Sequence, residues 1–112
     1  MRVVVQNTLS NRQWIGFDGP GGFVIGRDAS CDVRLDSRFV SGTHARVEKA
    51  PGGWELELLP GVNPVELDGK ECKPGQKATI KGAAILRIME FVLTLEDTQR
   101  EEGVDEKADQ LI

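Results

Sequence analysis

Arg27 follows directly on Gly26, and fourteen residues later a short loop carries Ser41 and, three positions on, His44. An arginine set by a glycine, followed by a loop with a hydroxyl and an imidazole, suits the recognition of a phosphate group. The planar guanidinium matches phosphate oxygens two at a time, and a hydroxyl adds a further donor. Each residue alone says less. Arg27 would then read as a surface arginine after a tight turn, and Ser41 and Thr43 as residues closing their loop by local side-chain-to-backbone bonds. His44 reads as structural, because the sequence supplies no acidic or nucleophilic partner for a general base. Their order, and the strand signals on both sides, make the stretch informative.

Those signals have a period of two along nearly the whole chain. Val3 and Val5 alternate with Val4 and Gln6, and residues 13–17 form a second short strand. Asp18-Gly19-Pro20-Gly21-Gly22 is a dense turn signal, and Phe23-Val24-Ile25-Gly26 follows as a strand. Val33 and Leu35 flank Arg34, and residues 45–49 alternate after the Ser/His loop. Trp54-Glu55-Leu56-Glu57-Leu58 is the cleanest amphipathic strand, with three apolar side chains on one face and two carboxylates on the other. Val65 to Leu67 ends at the tight-hairpin dipeptide Asp68-Gly69, and residues 77–80 precede a break at Gly82. Residues 85–95 are strand-like, but their apolar parity changes between Ile88 and Phe91. The spacing predicts either a bulge or two strands divided near Met89-Glu90. About ten short strands with frequent turns predict an antiparallel sandwich. Its core is expected from Val5, Ile25, Leu35, Val47, Trp54, Leu56, Leu58, Ile80, Ile88 and Leu93.

With 112 residues and 39% hydrophobic composition, the chain has material for one domain with a real core. The net charge of −4 is unevenly spread. Residues 96–112 hold seven acids and two bases, a balance of −5, which leaves residues 1–95 at +1. A nearly neutral body argues against a broad nucleic-acid surface. The first residues lack the apolar core of a signal peptide, and no run approaches a membrane span. Cys31 and Cys72 are far apart and belong to no C-x-x-C pair, so they are read as reduced thiols of a cytoplasmic protein. The single His44 cannot assemble a metal site, and no cofactor loop or catalytic set stands out. The chain is expected not to be an enzyme.

Phe23-Val24-Ile25-Gly26-Arg27, Cys31-Asp32-Val33-Arg34-Leu35, Val40-Ser41-Gly42-Thr43-His44-Ala45-Arg46-Val47 and Asn63-Pro64-Val65-Glu66-Leu67-Asp68-Gly69 together resemble a forkhead-associated domain. The resemblance covers about residues 2 to 95. It implies an eleven-stranded sandwich that binds threonine-phosphorylated peptides with the loops at one end. It further implies that Arg27 and Ser41 hold the phosphate and that His44 braces the Ser41 loop through hydrogen bonds. Asn63 matches the asparagine that grips the peptide main chain, with Gly42, Thr43 and Arg38 as further peptide-binding positions. Gly26 and Gly69 match turn positions where glycine relieves backbone crowding. Three residues depart from the usual pattern: Pro64-Val65 replaces Gly-Thr after the asparagine, Gly42 replaces a larger polar residue, and Val62 stands where a hydroxyl sometimes helps.

The resemblance therefore implies a phosphothreonine-dependent interaction module in a kinase-linked signalling or secretion pathway. The alternative is a degenerate scaffold of the same fold that binds partners without phosphate. On this reading residues 1–95 are the binding domain and residues 96–112 an acidic tail or the start of a linker. Residues 107–112 also fit a short helix whose Leu111 and Ile112 seek a partner. Thr98 lies among acids, so its phosphorylation would create a ligand for a second copy, with Arg38 expected to meet Glu101 or Glu102.

Overall fold

A computed structural model describes residues 1–98. These form eleven strands: β1 (Arg2–Asn7), β2 (Arg12–Asp18), β3 (Phe23–Gly26), β4 (Val33–Arg34), β5 (Ala45–Ala50), β6 (Gly53–Leu58), β7 (Val65–Leu67), β8 (Lys70–Cys72), β9 (Lys77–Ile80), β10 (Ala83–Ile88) and β11 (Phe91–Glu96). They pack as two sheets. One has six strands in the order β2-β1-β11-β10-β7-β8, and the other five in the order β4-β3-β5-β6-β9. The expected all-β sandwich is the observed fold. The acidic segment beyond Thr98, with Glu101, Glu102, Leu111 and Ile112, lies outside the described residues, so its expected contact with Arg38 does too.

Alternation places the core. All ten residues expected inside are buried, and Val3, Phe23, Leu86, Phe91 and Leu95 join them from the same strand faces. Each such aliphatic or aromatic side chain withdrawn from water contributes roughly 1.5–3 kcal/mol before the entropy of ordering the chain is set against it. Trp54 is enclosed, whereas Trp14 sits at the margin with its ring edge-on to Phe91, centroids 6.4 Å apart. Among the described residues the buried polar side chains are Ser37 and His44, and both lie in the segment between β4 and β5.

Turn chemistry sets the register. Asp68 and Gly69 both take positive φ, 51° and 83°, and Leu67 pairs directly with Lys70 across them. This is the two-residue type I′ hairpin that the dipeptide predicts. The parity change in residues 85–95 resolves as a division into two strands rather than a bulge. Met89 adopts φ 53° and Ile88 pairs with Phe91, so Met89-Glu90 is a tight turn. A bulge does occur elsewhere, between Val3 and Val4 against β2. One pairing departs from the antiparallel rule: β3 and β4 run parallel, with Ile25 opposite Val33 and Gly26 opposite Arg34. The six intervening residues are tied down locally. Asp32 Oδ2 accepts from Val24 N–H at 2.8 Å, and Arg34 Nε donates to the Arg27 carbonyl at 3.0 Å.

The strand directions separate the two ends of the sandwich. β6 starts against Ile80 and finishes next to His44, whose carbonyl accepts from Leu59 N–H. Asp97 N–H donates to the Gly82 carbonyl, near the Ile80 end. The loops with Arg27, Ser41 and Asn63 thus lie at one end, and the chain leaves β11 at the other.

Candidate functional site: an arginine-lined loop groove

Gly26 ends β3 and aims Arg27 out of the sheet. A Cβ at Gly26 would collide with the carbonyl oxygen of Gly42 and come within 2.9 Å of Cys31 Sγ. Only glycine therefore lets the loop carrying Gly42 close over the end of β3. That closure is made by backbone bonds: Arg27 N–H to the Ser41 carbonyl at 2.9 Å and Asp28 N–H to the Gly42 carbonyl at 3.1 Å. Arg27 and Ser41 are fourteen residues apart in sequence but neighbours in space. Cys31 Sγ–H adds a weak bond to the Gly42 carbonyl at 3.1 Å. Burial, followed by the Asp28 and Asp32 carboxylates, raises its pKa, so this thiol stays protonated.

His44 is the internal brace. It is fully buried; Ser41 N–H donates to its Nδ1 at 3.1 Å, and its Nε2 lies 2.9 Å from the Asn63 carbonyl. Since Nδ1 accepts, the proton belongs on Nε2, which donates to Asn63; the neutral ring satisfies both groups. Burial is the main cause of a pKa lowered from 6.5, partly opposed by the bond to Asn63. A proton on Nδ1 would face the Ser41 N–H, so the neutral form is the one that holds the loop. Both ring nitrogens are engaged by main-chain groups. The imidazole links two loops.

Residues 37–41 are fixed from below. Val40 is buried, Ser37 Oγ accepts from Phe39 N–H at 3.3 Å, and the Ser37 carbonyl accepts from Val40 N–H at 3.0 Å. Asn63 Nδ2 donates to the Phe39 carbonyl at 3.0 Å. Asn63 thus uses its main-chain oxygen on His44 and its side chain on the neighbouring loop. Arg27 Nη1 donates to the Arg38 carbonyl at a long 3.4 Å. Arg27 is exposed, and this bond uses one of its five guanidinium donors.

These residues surround an open groove of about 380 Å³, lined by Arg27, Arg38, Phe39, Val40, Ser41, Gly42, Gly61 and Asn63. Two arginines, a hydroxyl and an amide converge there, and among the described residues no carboxylate lines it. Of the residues singled out from sequence, the groove unites Arg27, Arg38, Ser41, Gly42 and Asn63. Gly26 and His44 lie beneath it, and Thr43 is exposed outside its lining. Two features are not visible in the sequence pattern. Phe39, more than half exposed, lies under the Arg38 guanidinium at 5.8 Å. The Asp28 carboxylate fills the space beside Gly42 Cα, where a Cβ would come within 2.8 Å of Oδ2. A larger cavity, about 520 Å³, opens by β8 and β9, but Asp68, Lys70, Glu71 and Lys77 give it mixed charge and no convergent anion site. Among the described residues no group of His, Cys, Asp and Glu has the spacing to hold a metal ion, and no helix is long and apolar enough to cross a membrane.

The FHA domain family model matches residues 23–89, more than half of the chain. Solved structures share the fold at low sequence identity. Mycobacterium tuberculosis EmbR, in complex with a low-affinity phosphopeptide, is 21% identical at a TM-score of 0.66, over 85% of this chain and 24% of its own. This chain therefore spans about a quarter of that protein's chain. The FHA domain of CT664 from Chlamydia trachomatis is 17% identical at a TM-score of 0.64, covering 87% of this chain and 98% of its own. The N-terminal FHA domain of Rad53p from S. cerevisiae, in complex with a phosphothreonine peptide, is 11% identical at a TM-score of 0.68, over 91% and 98%. No curated protein matches the sequence.

Proposed function

The chain belongs to the FHA domain family, and from that membership we propose that it is a phosphothreonine-dependent protein–protein interaction module, not an enzyme, serving a kinase-linked signalling or secretion pathway in the cytoplasm. The observation that carries this reading is the convergence of Arg27, Ser41 and Arg38 on one groove free of lining carboxylates. In the proposed complex the Arg27 fork takes two phosphate oxygens and Ser41 Oγ a third, while Arg38 adds longer-range attraction. The main-chain bond between Arg27 and Ser41 holds the two donors together before ligand arrives. That pre-organisation lowers the entropic cost of binding. His44 acts through the loop and touches no ligand. EmbR and Rad53p in complex with phosphopeptides support the reading by analogy of family.

A second reading is the phosphate-independent scaffold, and one observation favours it. The Asn63 amide is committed to the Phe39 carbonyl, and Pro64 restrains the residue before it to extended geometry. Titrating matched peptides with threonine and with phosphothreonine separates the two readings. Binding of only the phosphorylated peptide, lost in Arg27→Ala, supports the first; equal binding of both peptides supports the scaffold.

Self-association through Thr98 belongs to the same proposal. Thr98 stands two residues past Glu96, at the end opposite the groove. The length of β11 alone, about 17 Å at 3.4 Å per residue, separates it from the loops of its own chain. A phosphate on Thr98 would therefore dock in the groove of a second copy, giving a phosphorylation-dependent dimer. Mass in solution before and after phosphorylation of Thr98 tests it; an unchanged monomer refutes it.

A further inference from the structure

Gly42 lines the groove but brings no side chain to it. An ideal Cβ on Gly42 would lie 2.8 Å from Asp28 Oδ2, 3.0 Å from Oδ1 and 3.1 Å from Cγ. The carboxyl group of Asp28 therefore fills the volume into which a side chain at position 42 would project. Main-chain bonds fix this arrangement. Asp28 N–H donates to the Gly42 carbonyl at 3.1 Å, and the Asp28 carbonyl accepts from Cys31 N–H at 3.0 Å. The second bond closes a four-residue turn. Aspartate is favoured at the first position of such a turn because its carboxylate can bond the main chain two residues on. Here it does not. Among the described residues the Asp28 carboxylate makes no hydrogen bond and no ion pair. Asp32 and Asp68, by contrast, spend theirs on the N–H groups of Val24 and Ile85. Asp28 is exposed, so its charge stands in water at the margin of the groove and does not serve the fold.

Charge around the groove is thus unevenly placed. The loop from Arg38 to Gly42 covers at most about 14 Å of chain, with Ser41 between its ends. Arg38 stands at one end, its guanidinium over the Phe39 ring. The Asp28 carboxylate stands at the other, and among the described residues the two form no ion pair. Asp28 follows Arg27 and Gly42 follows Ser41, so the carboxylate is one residue away from each of the phosphate-holding positions. Arg27 and Arg38 bring two positive charges, and a phosphothreonine brings about −1.5 to −2, which balances them. The Asp28 charge is left over. Within a Debye length, about 10 Å at 0.1 M salt, it repels the phosphate unless the ligand carries a cation to meet it. We propose that Asp28 is a specificity-determining residue, which selects phosphothreonine peptides with an arginine or lysine on the Gly42 side of the phosphate. Arg38 disfavours a base at the other end, so the charge pattern is read with a direction. The repulsive element matters as much as the attractive one, because specificity is a difference between affinities. This inference rests on the phosphothreonine reading above and adds to it the class of peptide. Both partners in the contact are exposed, so a matching base should tighten binding about two- to fivefold.

The test titrates the full chain and its Asp28→Asn variant with a phosphothreonine peptide whose other side chains are neutral. Relatives of that peptide place a single arginine at successive positions on either side of the phosphothreonine. With the parent chain, arginine on one side should tighten binding about two- to fivefold, and arginine on the other side should weaken it. The gain should shrink as salt rises from about 0.1 M to about 1 M. In Asp28→Asn the gain should vanish, while the arginine-free peptide binds somewhat more tightly because a repulsion has gone. Opposite shifts for the two peptides mark a charge contact, since damage to the loop would weaken both. Phosphate-dependent binding without an arginine gain, or with a gain that survives Asp28→Asn, overturns the inference and leaves the phosphothreonine reading standing. Equal shifts of every peptide in Asp28→Asn also overturn it, in favour of a contact with the ligand main chain. If no phosphorylated peptide binds, or if unphosphorylated twins bind equally well, both readings fall.

Discussion

Replacing His44 by alanine should weaken the fold and the ligand groove together. The imidazole is fully buried and satisfies two main-chain groups, Ser41 N–H and the Asn63 carbonyl. Removing it orphans both, at about 1–3 kcal/mol each, and leaves a void where the ring packed. Both loops are at the surface, where water relieves part of the penalty, so about 2–4 kcal/mol is expected. For a domain of this size that lowers the melting temperature by on the order of 10–20 °C. Peptide affinity should fall in parallel, because Ser41 loses its anchor. The same residue leaves a signature in pH. The native pKa lies below the ordinary 6.5, so on acidification the unfolded chain takes up its proton first. Stability from this source is complete above pH 6.5 and is lost as pH falls from there through the lowered native pKa. His44→Ala should remove that slope while leaving the carboxylate-driven loss at lower pH. Melting curves over this window, with peptide titrations at neutral pH, are the assay. An unchanged melting temperature with abolished binding would refute the bracing role and make His44 a ligand contact.

Arg27→Ala removes one side of a charge-assisted contact worth about 2–5 kcal/mol. Against about −8 kcal/mol for a micromolar complex, calorimetric binding of a phosphothreonine peptide should approach the detection limit. Ser41→Ala removes one hydroxyl and should cost less, so equal losses from the two would contradict their assigned roles. Gly26→Ala forces a Cβ against the Gly42 carbonyl and should destabilise by about 1–3 kcal/mol, read as a lowered denaturation midpoint. A peptide with phosphothreonine should bind more tightly than its phosphoserine twin by roughly 0.8 kcal/mol, one buried methyl; equal affinities would exclude a methyl pocket.

Alternation and turn chemistry are local, and they were legible residue by residue. The three inward side chains of β6, the ten core positions and the type I′ turn at Asp68-Gly69 all follow from patterns within a few residues. Arg27, Ser41 and His44 were legible as a motif for a related reason: glycine, hydroxyl and imidazole have few roles at that spacing. What lay beyond the sequence is what depends on contacts between distant segments. The parity change near Met89 allowed a bulge or a turn, and the packing of both halves on one core decided for the turn. Nothing local announces that β3 and β4 pair in parallel, because the alternation of Val33 and Leu35 about Arg34 marks a strand but not the direction of its partner. The direction of the Asn63 amide, the place of Phe39 on the groove and the Asp28 carboxylate beside Gly42 were set by loops meeting across up to 24 residues of chain. An apolar stripe on the six-stranded sheet is of the same kind. Ile15, Val4, Thr94 and Ile85 look like isolated outward residues along their strands, and only the register across four strands joins them into one surface.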